Sequence, residues 1–172
     1  MRPPAPWWQV IAVGRNPRLT LIRLVVLVAL TLWTFRYGLV PVRVSGISMV
    51  PAFRDGERRW ISPALTRVQG LQRGDVVAIQ TSGRHTLYLK RILGLPGERV
   101  RIERGVVRIN GEPLSEPYLA PGPAAWTWPT NGTDRVIGPS EFFVVGDNRS
   151  MAQDAHYFGL ADRNRILGKV VR

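Results

Sequence analysis

The pattern of apolar and polar residues divides the chain into two parts of different character. Residues 19–37 are almost wholly apolar and are interrupted only by Arg23 and Arg36. As a helix this stretch is about 28 Å long, close to the roughly 30 Å hydrocarbon core of a bilayer. Both arginines lie near its ends, where long side chains reach the headgroups. The pattern predicts a single transmembrane helix, with residues 1–40 forming a cytoplasmic N-terminus and anchor.

The charge before this stretch predicts its orientation. Three arginines and no acidic residue precede it, at Arg2, Arg15 and Arg18. Positive flanks stay in the cytoplasm, so the remainder of the chain is expected outside the inner (cytoplasmic) membrane, with the lipid bilayer as a partner. A cleavable signal peptide is the alternative, but residues 38–43 contain no A-x-A-like cleavage site.

Beyond residue 40 the apolar positions predict short strands and tight turns. In residues 99–103, valine and isoleucine alternate with charged residues, which is typical of a half-buried strand. Arg104-Gly105 and Asn110-Gly111 favour hairpin turns. No long helix is expected, so residues 41–172 are predicted to form a mainly β extracytoplasmic catalytic domain, as a small closed or folded-over sheet. Further strands are predicted at Val42–Val44, Trp60–Ile61, Val76–Ile79, Val106–Ile109, Phe142–Val145 and Ile166–Val171.

Composition narrows the chemistry. The absence of cysteine among 172 residues excludes disulfides, thiol catalysis and Cys-ligated zinc. Two histidines and scattered carboxylates indicate no metal set, so neither a metal nor a cofactor is expected. The net charge of +12 suits nucleic acid or anionic lipid. No helix-turn-helix, zinc-finger or aromatic ribonucleoprotein pattern is present, so no nucleic-acid partner is expected.

Ser48 and Lys90 are the candidate catalytic pair. A serine hydroxyl is a poor nucleophile unless a base removes its proton. The chain uses arginine for almost all its positive charge and has only two lysines, Lys90 and Lys169. A buried lysine can become a neutral amine, whereas an arginine cannot. Lowering the lysine pKa by about three units requires roughly 4 kcal/mol, which desolvation by apolar neighbours could supply.

Other nucleophile motifs fit less well. Gly46–Val50 lacks the last glycine of a G-x-S-x-G elbow, and the S-x-x-K and K-T-G pattern of β-lactamases is absent. A Ser-His-Asp triad remains open, because His156 follows Asp154 by two residues. His85 stands in a Ser-Gly-Arg-His turn and is expected to be exposed.

Three segments, in this order and combination, resemble the bacterial type I signal peptidases. These are membrane-anchored serine proteases that remove secretory signal peptides through a Ser-Lys dyad. The matching motifs are Ser48-Met49-Val50-Pro51; Tyr88-Leu89-Lys90-Arg91 with Gly94-Leu95-Pro96-Gly97; and Gly146-Asp147-Asn148-Arg149 with Asp154 and Gly159.

The resemblance implies the roles of the site residues. Ser48 would be the nucleophile, with its backbone N–H in the oxyanion hole, and Lys90 the general base. The substrates would be signal peptides of secreted preproteins, cleaved by a monomer with water as second substrate. The first-position pocket before the cut would be lined by Met49, Phe53, Tyr88 and Leu89, and the third-position pocket by Val42 and Val44. The site would be supported by Arg91, Asp147, Asn148, Arg149 and Asp154.

Four positions depart from the pattern of this family. Gly46 replaces a serine that serves some members as a second oxyanion donor, and Ala152 replaces a serine that orients the lysine. His156 replaces an arginine, and Ala52 a threonine. Two alternatives stay open, a dedicated family peptidase for one pilin or conjugation substrate and a catalytically decayed, membrane-tethered binding protein. A soluble self-cleaving repressor would share the dyad, but residues 19–37 argue against it.

Overall fold

The first element of the computed structural model is a 22-residue helix, α1 (Pro17–Gly38). The structure describes residues 16–80, 87–119, 133–151 and 159–171, and divides the chain into two units between Gly38 and Leu39. The large apolar side chains described on α1 are exposed. Within the described ranges, no helix combines the length and the apolar character that a bilayer span requires, so the predicted transmembrane span is not confirmed.

The second unit is built almost entirely from strands, which confirms the prediction of a mainly β domain. The described strands are β1 (Val40–Arg43), β2 (Arg58–Ser62), β3 (Val76–Gln80), β4 (Leu87–Gly94), β5 (Arg99–Glu103), β6 (Val106–Ile109), β7 (Glu112–Pro113), β8 (Thr133–Val136), β9 (Glu141–Val145), β10 (Gly159–Asp162) and β11 (Ile166–Val171).

These strands form two antiparallel sheets. One has seven strands in the order β1-β2-β11-β3-β4-β9-β10, and the other has four in the order β7-β6-β5-β8. The long strand β4 lies inside the larger sheet, between β3 and β9, and six of its eight residues are buried. Because both neighbours of β4 donate and accept ladder hydrogen bonds, side chains on this strand are held in fixed positions.

The turns of the smaller sheet follow the sequence prediction. Strand β5 alternates exposed and buried side chains, as its pattern predicts. Arg104 and Asn110 adopt positive φ angles of 49° and 53°, and the glycine after each is also left-handed. These conformations turn β5 into β6 and β6 into β7 with few linking residues.

A short helix, α2 (Pro63–Gln69), was not predicted. Its N-cap is Ser62, whose hydroxyl accepts a hydrogen bond from Leu65 N at 3.1 Å, and proline occupies the first helical position. Serine followed by proline is a helix-start signal, so the sequence did contain the information. A single-turn 3₁₀ helix (Arg163–Arg165) precedes β11.

Candidate active site

Ser48 lies in a turn between β1 and β2 that is braced from both sides. The N–H of Gly46, with φ of +90°, donates to the Asp55 carboxylate at 2.7 Å. Phe53 N donates to Met49 O at 2.9 Å, and the Val50–Pro51 peptide is cis. Ser48 itself is half-buried. Its backbone N–H makes no hydrogen bond to any other described residue.

Asn148 fastens this turn to the loop that follows β9. Its backbone N–H donates to Ser48 O at 3.0 Å, and its side-chain amide donates to Ile47 O at 3.1 Å. Ser150 Oγ donates in turn to Asn148 Oδ1 at 2.6 Å. These hydrogen bonds fix the Asn148 side chain and backbone, and through them the carbonyl groups of Ile47 and Ser48.

Lys90 is buried in the middle of β4, with 1% of its surface exposed. Its strand partner on β3 is Val77, and Ile92 follows on the same face of the pleat. Burial lowers the pKa of Lys90 to about 8 from its ordinary 10.5, while the nearby charge of Asp147 acts in the opposite direction. A substantial fraction of the amine is therefore neutral near physiological pH, as a general base requires.

Arg91 and Asp147 form a bidentate ion pair beside the lysine. Arg91 Nε donates to Asp147 Oδ1 at 2.8 Å and Nη2 donates to Oδ2 at 2.5 Å. The remaining guanidinium nitrogen Nη1 donates to Gly74 O at 2.8 Å. The pair is almost completely shielded from water, so each charge depends on the other for its compensation.

Ser48 and Lys90 thus both adjoin the segment Asp147–Asn148. Asn148 holds the carbonyl of Ser48, and the Asp147 charge acts on Lys90. Within the described ranges, no hydrogen bond joins the serine hydroxyl to the lysine amine.

The predicted substrate-binding residues gather into one apolar cluster, with one exception. Four are buried together, and Val42 packs against them at the margin. Tyr88 is half-buried and lies opposite Ile79, on the face of β4 that carries Lys90 rather than Leu89. The buried members of the predicted set are Val44, Met49, Phe53 and Leu89.

Several predicted residues fall in parts of the chain that the structure does not describe. Asp154, Ala152 and His156 lie outside the described residues, and so does His85. The contribution of Asp154 to the site and the alternative base His156 therefore stay predictions.

Two buried ion pairs near the site were missed by the sequence analysis. Lys169 Nζ contacts Asp75 Oδ2 at 2.7 Å, and the scarcity of lysine could have pointed to it. Arg149 was predicted as a supporting residue, but its partner Glu116 was not. Nothing in the local sequence around Glu116 indicates this contact. Among the described residues, no group of three potential metal ligands comes together.

Comparison with known proteins identifies the class of enzyme. The profile of the family described as "Signal peptidase, peptidase S26" matches residues 18–172. Signal peptidase I of Bacillus amyloliquefaciens is 33% identical over 84% of this chain and 78% of its own length. The Bacillus licheniformis enzyme of the same name is 34% identical over 84% of this chain and 81% of its own. A crystal structure of an Enterococcus faecalis signal peptidase I, 30% identical, covers 59% of this chain and 97% of that one, with a TM-score of 0.45.

The family profile and the two Bacillus relatives show a serine peptidase, a hydrolase. The chain belongs to the signal peptidase family, peptidase S26.

Proposed function

We propose that this protein is a membrane-anchored serine endopeptidase that removes N-terminal signal peptides from exported proteins by a Ser48–Lys90 dyad. The observation that carries the proposal is the buried Lys90, whose pKa is lowered to about 8. Burial of a lysine costs stability, because desolvation opposes its charge, and a catalytic task would account for that cost at Lys90. The relatives named signal peptidase I supply the substrate class.

The proposed reaction begins with proton transfer from Ser48 Oγ to the neutral amine of Lys90. Oγ attacks the scissile carbonyl carbon, and the developing oxyanion accepts a hydrogen bond from the Ser48 backbone N–H. That N–H has no other partner among the described residues, which leaves it available for this role. The protonated Lys90 then gives its proton to the leaving amine, and an ester between Ser48 and the signal peptide remains.

Hydrolysis of this ester repeats the same steps with water as nucleophile. The neutral Lys90 accepts a proton from the water, whose oxygen attacks the ester carbonyl. Collapse of the second tetrahedral intermediate returns the proton to Ser48 Oγ and releases the signal peptide. Lys90 acts as base and then as acid in each half of the cycle, which requires a pKa near the working pH.

The apolar cluster provides the proposed specificity. Met49, Phe53 and Leu89 would line the pocket for the first residue before the cut, and Val42 and Val44 the pocket for the third. A substrate strand beside the Ser48 turn would present alternate side chains to these pockets, because side chains alternate along an extended strand.

The proposed anchor is α1. A helix of 22 residues is about 33 Å long. Its described side chains expose apolar surface that water does not favour, for example 61% of Leu21, 64% of Leu27 and 65% of Leu32. The basic N-terminal flank supports a cytoplasmic N-terminus, with the catalytic unit outside the cytoplasmic membrane.

The proposal is tested with the full chain purified in detergent. Incubation with a preprotein carrying an A-x-A cleavage site should release a mature protein whose new N-terminus, read by mass spectrometry, follows that site. Ser48→Ala should abolish release, and a preprotein with a bulky residue at the first position should resist cleavage. Equal cleavage by wild type and Ser48→Ala would refute the nucleophile, and no cleavage of any preprotein by folded wild type would refute the activity.

A further inference from the structure

A buried ion pair connects Glu116 to the turn that carries Asn148. Arg149 Nη1 donates to Glu116 Oε2 at 3.3 Å, and Nη2 donates to Oε1. Only 3% of the Arg149 side chain and 10% of the Glu116 side chain are exposed. Arg149 Nε also donates to Gly146 O at 3.0 Å, which ties the guanidinium to the start of the turn. A buried guanidinium needs a compensating charge, which Glu116 supplies. Arg149 can therefore stay buried and keep its hydrogen bond to Gly146 O.

The same carboxylate also orients Tyr118. The phenol O–H donates to Glu116 Oε1 at 2.7 Å. Burial, aided by the adjacent Glu116 charge, raises the pKa of Tyr118, so the phenol stays a donor. The guanidinium carbon of Arg91 lies 3.9 Å from the centre of the Tyr118 ring. Arg91 is therefore held by the ring on one side and by Asp147 at its edge.

Two lines of contact leave Glu116 and reach different members of the proposed dyad. One runs through Arg149 and the turn to Asn148, which holds the Ser48 carbonyl. The other runs through Tyr118 and Arg91 to Asp147, whose charge acts on Lys90. We propose that Glu116 and Tyr118 are positioning residues for catalysis, which together fix the turn behind Ser48 and the aspartate beside Lys90. This inference rests on the proposed function.

The segment that carries Glu116 and Tyr118 is held in place by a hydrogen bond and by packing against the core. It follows β7 of the smaller sheet, and Leu114 N donates to Val107 O at 2.8 Å. Leu114 and Tyr118 pack against a core formed by the smaller sheet with Leu93, Phe143 and Val145. A site held by packed elements keeps its geometry better than one held by loops alone. The smaller sheet thereby contributes to the catalytic geometry, although it carries no dyad residue.

The charges around Lys90 predict how loss of Glu116 alters the base. On the described elements, the charged neighbours of Lys90 are Asp147 and Arg91. Lys169, which pairs with Asp75, lies on β11, where Val77 of β3 is the strand partner of both lysines. Asp154 and His156 lie outside the described residues. Glu116→Gln removes one negative charge from the buried network and loosens Asp147, and both changes disfavour protonation of Lys90. The acidic limb of the pH profile should therefore move to lower pH.

The experiment measures steady-state cleavage of a preprotein in detergent at a series of pH values from about 6 to about 10. It compares the full-length wild type with Glu116→Gln, Tyr118→Phe and Tyr118→Leu. Glu116→Gln should lower kcat by about 10- to 100-fold, the size expected when reacting groups are displaced by a fraction of an ångström to an ångström. KM should change little, because the apolar cluster is untouched. Tyr118→Phe keeps the ring over Arg91 and should retain more activity than Tyr118→Leu.

Glu103→Gln is the matched control, since Glu103 pairs with two arginines on the exposed face of the smaller sheet. It should match wild type in kcat and in pH profile. An unchanged kcat and pH limb in folded Glu116→Gln would overturn the inference, as would a loss of activity that only follows the fraction unfolded. If Glu116→Gln does not fold, equal kcat in Tyr118→Phe and Tyr118→Leu overturns it. In each of these results wild type still cleaves and Ser48→Ala does not, so the proposed function stands separately.

Discussion

Asp147 binds Arg91 through both carboxylate oxygens across 56 residues of sequence, and the two side chains are only 0% and 2% exposed. The pair closes the space between β4 and the loop after β9. Removal of either charge would leave the other buried without its ionic partner.

Replacing Asp147 with alanine is therefore expected to destabilise the catalytic unit. Loss of one partner from a buried pair costs about 3–5 kcal/mol, because an uncompensated charge remains inside. Urea unfolding of the full chain in detergent, followed by tryptophan fluorescence, measures this cost. Asp134→Ala is the control: its pair with Arg99 is largely exposed, so its removal should cost much less stability. A difference of under about 0.5 kcal/mol between the two variants would contradict the prediction.

The pH dependence of cleavage should report the ionisation of Lys90. Its pKa is lowered to about 8 by burial, so kcat/KM should rise as pH approaches 8 and level off above it.

Lys90→Arg keeps the charge but cannot lose its proton, and should be inactive while folded. Ser48→Ala should be equally inactive, and the double variant no worse than either. Cleavage by Lys90→Arg would exclude Lys90 as the base, and His156 would be tested next.

The same buried lysine should make stability depend on pH, with a definite sign. Between about pH 8 and 10.5 the folded protein holds a neutral Lys90 while the unfolded chain still holds a proton. The unfolded state binds more protons, so the free energy of unfolding rises with pH through this window. The rise attributable to Lys90 is about 3 kcal/mol.

Lys90→Met isolates this contribution, because methionine has similar length and does not titrate. Below pH 8 the variant should be more stable than wild type, since it buries no charge. The difference should shrink as pH rises toward 10.5. A constant difference between the two proteins across this range would show that Lys90 does not titrate abnormally.

The close contact between β11 and the start of α2 predicts a strict requirement for glycine at Gly168. A Cβ atom there would lie 2.8 Å from Pro63 N and Ser62 C, both backbone atoms that cannot easily move. Gly168→Ala should therefore destabilise the unit by about 1–3 kcal/mol, as overpacking commonly does. In Gly138→Ala the three atoms nearest to the new Cβ all belong to the flexible side chain of Glu141, so thermal unfolding should show a smaller loss. Equal losses would contradict this account.

The proposed orientation of the anchor is checked with spheroplasts. Protease added to intact spheroplasts should digest the catalytic unit. In a control in which the chain is kept in the cytoplasm, digestion should occur only after the spheroplasts are disrupted. An N-terminal tag before Met1 should stay protected in intact spheroplasts. A protected catalytic unit, or a mature chain that lacks residues 1–40, would exclude the retained anchor.

Local sequence patterns predicted the parts of the fold that local interactions determine. The alternation in β5 and the turns at Arg104 and Asn110 follow from side-chain spacing and left-handed conformations, which neighbouring residues specify. The motif around Ser48 and the single lysine of β4 also indicated the candidate site, because both are visible within short stretches of sequence. The helix α2 was overlooked because it spans only seven residues.

Contacts between distant segments could not be predicted in this way. Arg149 meets Glu116 across 33 residues, and Arg91 stacks on Tyr118 only because β4 and the smaller sheet share a core. Sheet order decides such meetings, and a single sequence does not specify which strands become neighbours. Tyr88 is a different case, because consecutive residues of a strand point to opposite faces and the alternation alone separates it from Leu89.

Asn148 holds the turn that carries Ser48 through the main-chain oxygens of Ile47 and Ser48, and the side chain of Ile47 is 54% exposed. Every amino acid offers the same carbonyl at position 47. Substitutions at position 47 keep both main-chain acceptors, so the hydrogen bonds from Asn148 do not depend on the side chain there. The turn thus combines a fixed main-chain framework around Ser48 with an exposed side chain beside it, and a change of that side chain can alter what the proposed substrate meets while the framework stays in place.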